Sequence, residues 1–227
     1  MKKTKILFIP CYYYPKRKIT LPSSLREKIK KYSKLGLFTT AQHLNLINEI
    51  KNELERKFKK EVIIGGQILG CSLKKIKRIE KRVDAFLYFG SGKFHPLNIA
   101  LNTNKPVFIF NPYSNTFSKI SNKEKVIYTK KRRAAFLKFL EGEKFGILIS
   151  TKTGQFNLKK AKEIKKELKR KKENAKVFLF VGEEISPEKL IGFDVDVWIN
   201  TACPRIIEDH FDKPILNFEE IEKAKLL

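Results

Sequence analysis

Three cysteines carry the most distinctive chemistry in this sequence, and they lie far apart at Cys11, Cys71 and Cys203. The last two each follow a predicted strand beside a residue that shapes the backbone, Gly70 before one and Pro204 after the other. A thiolate that binds a metal must be deprotonated and held at the rim of a site, and loops at strand ends provide that position. The alternative is that both are small buried apolar side chains.

The cysteine spacing argues against two common frameworks. An odd number of distant cysteines does not indicate disulfides, and without a C-x-x-C pair a zinc finger is not expected. His210 lies among Glu208, Asp209 and Asp212, but residues adjacent in sequence do not converge on one ion, so we expect His210 to be exposed.

A glycine-rich turn, Gly90-Ser91-Gly92, could cradle a phosphate or carboxylate with its backbone N–H groups. It does not match G-x-G-x-x-G, so a nicotinamide site is not indicated. The alternative is a turn that needs positive φ, and the same alternative applies to Gly154.

Two charged or titratable side chains, His95 and Arg205, lie in separate predicted loops. His95 could carry a proton or donate a hydrogen bond to a ligand, or it could make a structural hydrogen bond. Arg205 could bind a carboxylate with two hydrogen bonds, or it could form a surface ion pair with Glu208 or Asp209. His43 is interpreted as a helix cap or packing residue.

The elements that position these residues alternate between short β-rich runs and amphipathic runs, which predicts α/β architecture with mostly parallel sheets flanked by helices. We expect strands at residues 5–9, 36–40, 61–64, 85–89, 106–110, 145–150, 176–181 and 195–199. We expect helices at residues 41–60, 72–82, 132–140, 157–172 and 186–191. The rhythm restarts near residue 141, which predicts two related domains, 1–140 with Cys71 and 141–227 with Cys203.

Polar, glycine-bearing turns follow several of these strands. In parallel sheets, ligands bind beyond the carboxyl ends of the strands. The turns therefore predict one site shared between the domains, formed by residues 65–71, 90–96, 151–155 and 200–205.

The composition of the 227 residues, 42% apolar and 11% aromatic, predicts a folded protein. No apolar run is long enough for a membrane helix, and the run before Pro10 is interpreted as a strand rather than a secretory signal. These features predict a cytoplasmic protein without a membrane partner.

The net charge is +25, from 49 Lys and Arg against 24 Asp and Glu. Such an excess favours contact with polyanions, but a lysine-biased proteome with solvated helix faces would produce it as well. No basic motif interleaved with aromatics, as in RNA-binding modules, is present. Both interpretations of the charge therefore stay open.

A series of segments, taken together and in order, resembles the 2-(3-amino-3-carboxypropyl)histidine synthases, the family that begins diphthamide synthesis. The resemblance covers almost the whole chain from Ile6, and the segments around Cys71 and Cys203 are the most specific. The matching segments are residues 39–43, 66–71, 88–97, 145–155 and 201–205, with 213–217 in agreement.

This resemblance implies three related α/β domains, each contributing one cysteine to a 4Fe–4S cluster, with Cys71 and Cys203 as the second-domain and third-domain ligands. Three thiolates leave one iron open for substrate. The implied reaction cleaves S-adenosylmethionine to a 3-amino-3-carboxypropyl radical, which adds to a histidine of elongation factor 2.

Position and polarity then suggest roles for six further residues. The glycine-rich turn is expected to line the S-adenosylmethionine pocket, and three side chains are expected to contact its methionine end or the target histidine. The turn residues are Gly90, Ser91 and Gly92, and the side chains are His95, Gln155 and Arg205.

One departure from the family concerns its first domain, which nothing in this sequence matches. We expect a separate chain to supply that domain and its cysteine, with Cys11 as an alternative third ligand. A homodimer or heterodimer and an electron donor are also expected.

Two competing functions stay open. One is a non-catalytic scaffold or electron-relay subunit, and a pure scaffold would need neither Cys71 nor Cys203. The other is a nucleic-acid-binding or ribosome-binding protein.

Overall fold

The computed structural model describes residues 7, 9, 11–68 and 74–226. The predicted strand at residues 5–9 falls largely outside these ranges, and so does the start of the helix predicted at 72–82. Cys71 lies outside the described residues altogether.

The chain divides into two compact units, Met1–Lys125 and Val126–Leu227. The division falls inside a helix, α5 (Asn122–Glu141), whereas the sequence suggested a boundary after it, near residue 141. The assignment of the two units to the second and third domains of the family stays a prediction.

The first unit contains a five-stranded sheet in the order β2-β1-β3-β4-β5. The first four strands pair in parallel and β5 runs antiparallel to β4, so the predicted α/β fold with a mostly parallel sheet is confirmed. The strands are β1 (Lys34–Thr39), β2 (Glu61–Gln67), β3 (Ala85–Phe89), β4 (Val107–Asn111) and β5 (Thr116–Lys119).

Helices cover both faces of this sheet because alternate strand residues point to opposite sides. Ala85, Leu87 and Phe89 of β3 face one core, and Phe86 and Tyr88 face the other. The first core includes residues of α1 (Leu25–Ile29) and α2 (Ile47–Phe58), and the second includes residues of α3 (Lys74–Ile79) and α4 (Phe94–Leu101).

The second unit contains a four-stranded parallel sheet in the order β7-β6-β8-β9. One face packs against α5, α6 and α7, and the other is covered by short 3₁₀ helices at Pro187–Leu190 and Pro204–Glu208. The remaining elements are β6 (Lys144–Ser150), α6 (Leu158–Lys171), β7 (Lys176–Gly182), β8 (Val197–Asn200), β9 (Ile215–Asn217) and α7 (Phe218–Lys223).

Several helices differ from the sequence expectation. The helix predicted at 41–60 begins as a 3₁₀ helix, Ala41–Leu46, before α2. Helix α5 is much longer than the predicted 132–140. The sequence did not indicate its first half, because exposed apolar residues such as Val126 and Ile127 obscure the amphipathic pattern there. Helix α4 was not predicted.

The two units repeat one architecture, with the same order of their first four strands. Gly36 in β1 pairs with Phe86, and Gly146 in β6 pairs with Trp198. A Cβ added to Gly36 would lie 2.7 Å from the Phe86 ring, and one on Gly146 would lie 2.2 Å from the Trp198 ring. Each glycine therefore admits an aromatic ring from the third strand.

An aspartate before the third strand also repeats. Asp84 accepts hydrogen bonds from the backbone N–H groups of Ser33 and Lys34, at 2.9 and 2.8 Å. Asp196 accepts the equivalent pair in the second unit. These backbone hydrogen bonds lower the pKa of both carboxyls, so each first strand is held to its third strand by an ionised side chain.

Candidate active site

Cys203 lies in the loop after β8, at the carboxyl edge of the second sheet. It is half-buried and caps the 3₁₀ helix that begins at Pro204. Strands β6 and β8 are neighbours in this sheet, so the loops that follow them meet at the same edge. This is where a parallel sheet binds ligands.

Side-chain hydrogen bonds fix the Cys203 loop. Asn200 Nδ2 donates to the carbonyl oxygen of Cys203 at 2.9 Å and to Asn217 Oδ1 at 2.7 Å, and Asn200 Oδ1 accepts from the N–H of Ala202 at 3.0 Å. Asn217 Nδ2 in turn donates to the Pro204 carbonyl oxygen. Both asparagines are buried, so the backbone around the thiol is held by satisfied polar groups.

The network continues to Arg132 on α5, a buried cation. Its Nε donates to Glu220 Oε1 at 2.9 Å, and its Nη1 donates to the Ile215 carbonyl oxygen at 2.9 Å. Glu220 also accepts from the N–H of Asn217, where it completes the capping box of α7. A continuous set of hydrogen bonds therefore joins the ion pair to Cys203.

A cleft of about 320 Å³ opens beside Cys203 within this unit. It brings together three of the predicted site residues, Gln155, Cys203 and Arg205. Arg205 is exposed and makes no salt bridge to a described residue, so the predicted pairing with Glu208 or Asp209 is not seen within 4 Å.

The cleft also contains Glu183 and Glu184 after β7, which the sequence analysis missed. Lys152, from the predicted turn at residues 151–155, and Asp209 line it as well. A hydrogen bond from Lys189 is the main cause of the lowered pKa of Glu184, with a smaller contribution from Lys152. Both glutamates come directly after Gly182, the last residue of β7. Their position at the carboxyl end of a strand was the sequence signal that could have identified them as site residues. The cleft therefore offers both cations and carboxylates to a ligand.

The glycine-rich turn lies at the equivalent edge of the first sheet, after β3. Gly92 has φ +76°, so the expected need for positive φ is met here. A Cβ on Gly90 would lie 2.9 Å from the Tyr88 hydroxyl, and that hydroxyl donates to the Ser91 carbonyl oxygen at 3.2 Å. Backbone conformation and close packing thus account for both glycines.

Ser91 and Cys203 occupy equivalent places in the repeat. Each lies three residues after a strand residue whose side chain donates to its carbonyl oxygen, Tyr88 in one unit and Asn200 in the other.

Next to the glycine-rich turn, Lys93 pairs with Glu124 at 2.6 Å. This hydrogen bond, with one from the Ser121 N–H, lowers the pKa of Glu124 to about 2.

His95 was expected in a polar loop, but it lies in the first turn of α4. Its half-buried ring contacts Tyr88 and Phe94, with centroid distances of 5.9 and 5.1 Å. The proline after it favours the first turn of a helix, which explains why a His-Pro pair did not mark a loop.

His43 is buried beyond the carboxyl end of β1, consistent with the packing role expected of it. Its Nδ1 lies 3.1 Å from Thr40 Oγ1, and its Nε2 lies 3.1 Å from the Tyr113 hydroxyl. Burial lowers the pKa of this histidine, which favours the neutral ring.

Of the other two cysteines, Cys71 lies outside the described residues. Strand β2 carries a bulge where Leu37 pairs with Ile64 and Phe38 with Gly66, shortly before the segment that contains Cys71. Cys11 is exposed and lies in irregular structure. Within residues 11–68 and 74–226, no three His, Cys, Asp or Glu side chains converge so as to hold a metal ion.

In the part of the chain that the structure describes, no helix is both long and apolar enough to cross a membrane.

Known proteins are similar to this chain in sequence and in structure. A family model described as "Putative diphthamide synthesis protein" matches residues 1–225. The 2-(3-amino-3-carboxypropyl)histidine synthases of Pyrococcus horikoshii and Methanocaldococcus jannaschii are each 34% identical to this chain, over 95% and 96% of its length. The chain spans 64% and 61% of those two relatives.

A solved structure is similar throughout most of the chain. The crystal structure of Dph2 from Pyrococcus horikoshii with a 4Fe–4S cluster matches with a TM-score of 0.74 and 35% identity. The match covers 91% of this chain and 62% of that one.

Proposed function

The chain belongs to the family of diphthamide synthesis proteins, and on this basis we propose that it transfers the 3-amino-3-carboxypropyl group of S-adenosylmethionine to a histidine of elongation factor 2. The reaction would be the first step of diphthamide synthesis, and it would take place in the cytoplasm. The observation that carries the proposal is the cleft in which Cys203, Gln155 and Arg205 meet at the carboxyl edge of a parallel sheet.

Cys203 has the properties of a cluster ligand. Its side chain is half-buried at the rim of a cleft, it forms no disulfide with a described cysteine, and its backbone is fixed by Asn200. Thiolates are the ligands of 4Fe–4S clusters, and a related structure contains such a cluster. We therefore assign Cys203 as one of its ligands in this chain, and we propose Cys71 as a second from the family resemblance.

A third thiolate, which the family resemblance implies, is proposed to complete the cluster. When bound, the cluster would supply the electron that cleaves S-adenosylmethionine, and a protein electron donor would restore that electron. The residues of this chain then have the tasks of binding the substrate, orienting it and excluding water.

The charges of the cleft suit the amino-acid end of S-adenosylmethionine, which carries a carboxylate and an ammonium group. Arg205 can bind a carboxylate with two parallel hydrogen bonds, and Lys152 adds a second positive charge. Glu183 is an exposed carboxylate that can accept from the ammonium group, and Gln155 can accept or donate.

The glycine-rich turn and His95 lie in the first unit. Gly90, Ser91 and Gly92 lie at a strand end where backbone N–H groups can reach a ligand, although their conformations also have a structural cause. Their contact with S-adenosylmethionine or the target histidine stays a prediction.

Transfer of label tests the proposal. The chain would be incubated without oxygen with dithionite, elongation factor 2 and S-adenosylmethionine labelled in its carboxyl carbon, together with the N-terminal portion of the Pyrococcus horikoshii relative. We expect label in elongation factor 2, and no label with Cys203→Ala. The full-length relative serves as the positive control. Label with the relative but none with this chain would show that the proposed transfer is wrong, and would favour a scaffold or electron-relay role.

A further inference from the structure

Helix α6 carries a concentration of positive charge that the proposed reaction does not use. Its 14 residues include eight basic and two acidic ones, a net charge of +6. Helix α6 therefore carries about one net positive charge for every two residues, whereas the whole chain carries about one for every nine residues. A uniform lysine bias therefore does not account for α6.

The basic residues form a stripe opposite the buried face. Ala161, Ile164 and Leu168 pack into the core of the second unit. On the outer side, Lys159, Lys162, Lys166 and Lys169 are exposed and follow one another at helical spacing. We name these four residues the α6 stripe.

The acidic residues of α6 do not neutralise this stripe. Glu163 pairs with Lys160 at 3.7 Å, and Glu167 pairs with Arg170 at 2.6 Å. Among the described residues, no carboxylate lies within 4 Å of a lysine of the α6 stripe, whereas Lys162 and Lys166 are like charges one turn apart. Their repulsion weakens the helix, and a bound polyanion would relieve it.

The chemistry of the stripe points to a phosphate backbone rather than to a protein. Protein interfaces favour aromatic and apolar anchors and are depleted in lysine, and the α6 stripe contains lysine alone. Its four ammonium groups are carried on about 15 Å of helix, a length over which a nucleic acid duplex presents several phosphates. The stripe has no aromatic residue on which a base could stack.

We propose that the α6 stripe binds the phosphate backbone of double-helical RNA without sequence preference. The choice of RNA over DNA rests on the proposed function, since an elongation factor acts in translation. The phosphate contact itself rests only on α6, and it requires neither S-adenosylmethionine nor the cluster.

Fluorescence anisotropy with a labelled 20-base-pair RNA duplex tests this proposal over a range of salt concentrations. Four phosphate contacts predict that log K falls against log salt with a slope of about −3.6 from the α6 stripe. A variant with all four lysines changed to glutamine should lose most of that slope and bind at least about tenfold more weakly at low salt. The matched control changes Lys16, Lys18, Lys123 and Lys130, which are also exposed, to glutamine and removes the same charge.

Equal weakening in the two quadruple variants would show that total charge, not α6, holds the RNA, and would overturn the proposal. Equally tight binding of a DNA duplex would overturn the assignment to RNA, and equal competition by polyglutamate would overturn the assignment to nucleic acid. Because these measurements omit S-adenosylmethionine and iron, their failure is separate from a failure of the transfer reaction.

Discussion

The side chain of Asn200 donates a hydrogen bond to the carbonyl oxygen of Cys203, and this 2.9 Å contact sets the conformation of the loop that carries the thiol. The repeat uses a tyrosine in the same place, since Tyr88 donates to the carbonyl oxygen of Ser91. Equivalent positions after the third strand of each sheet therefore carry a thiol in one unit and a hydroxyl in the other.

Asn200→Ala should destabilise the second unit and lower its affinity for iron. The substitution removes one buried and two partly buried hydrogen bonds and leaves Asn217 without one of its donors, at a cost of about 3 kcal/mol. Urea unfolding and iron content per chain measure the two effects. Asn45→Ala is the control, because it removes one exposed hydrogen bond to the Tyr13 carbonyl oxygen and should cost under about 1 kcal/mol. Full iron content in Asn200→Ala would show that the loop needs no such support.

Arg205→Ala should weaken the binding of S-adenosylmethionine by about tenfold or more while leaving the iron content unchanged, because it removes a charged hydrogen-bonding partner of a carboxylate but no thiolate. Isothermal titration calorimetry of the reconstituted protein gives the affinity. Arg205→Lys keeps the charge but loses the paired geometry, so its affinity should be intermediate. Arg78→Ala, an exposed arginine of the first unit, should bind as the wild type does. Unchanged affinity in Arg205→Ala would remove this residue from the site.

Arg132→Ala should be among the most destabilising substitutions in the second unit, by about 3–5 kcal/mol, because it leaves the partly buried Glu220 without its partner. The adjacent Arg133 is exposed, and its change to alanine should alter stability by less than about 0.5 kcal/mol. Chemical denaturation of the two variants makes the comparison. Equal stabilities would mean that the Arg132–Glu220 pair contributes nothing to the network that reaches Cys203.

The pair of Lys93 and Glu124 predicts an acid-dependent part of stability. The hydrogen bond from Lys93 is the main reason that the pKa of Glu124 falls from 4.5 to about 2 in the folded chain. Because the folded state binds this proton less readily than the unfolded state, the stabilisation is complete above pH 4.5 and is lost as the pH falls towards 2.

Glu124→Gln should therefore lower the free energy of unfolding at pH 7 by about 1 kcal/mol, a value reduced for the solvent exposure of Lys93. The difference from the wild type should shrink as the pH is lowered from 4.5 towards 2. Urea unfolding at several pH values measures it. Glu141→Gln, which breaks an exposed pair with Lys138, is the control and should lower the free energy of unfolding at pH 7 by less than about 0.5 kcal/mol. A difference that stays constant with pH would contradict the assigned pKa.

The sequence predicted the elements that have a clear period and length. The strands around Leu87 and Ile147 were found because both are buried apolar runs between turn residues. Strand β9 and helix α7 were not predicted as such, since β9 has only three residues and its end is defined by the capping box of Asn217 and Glu220. Such a box depends on side-chain geometry that periodicity does not reveal.

The candidate site was predicted where residue type and strand end coincide. Gln155, Cys203 and Arg205 follow two strands, and the parallel pairing of β6 with β8 brings them to one cleft. Glu183 was missed because a glutamate in a charged, lysine-rich chain is not distinctive. Asn200 lies in the predicted turn at residues 200–205, but its role was missed because it depends on hydrogen bonds to the backbone three residues later and to a strand end seventeen residues away.

The most direct test of the central claim is the iron content and the reduced-state EPR spectrum after anaerobic reconstitution with iron and sulfide. The wild-type chain, Cys203→Ala, Cys71→Ala and Cys11→Ala would be measured side by side, each with the N-terminal portion of the Pyrococcus horikoshii relative. We predict a 4Fe–4S signal in the wild type and in Cys11→Ala, and loss of iron and signal in the other two variants. An undiminished 4Fe–4S signal in Cys203→Ala would contradict the assignment of this cysteine as a cluster ligand, and with it the proposed site.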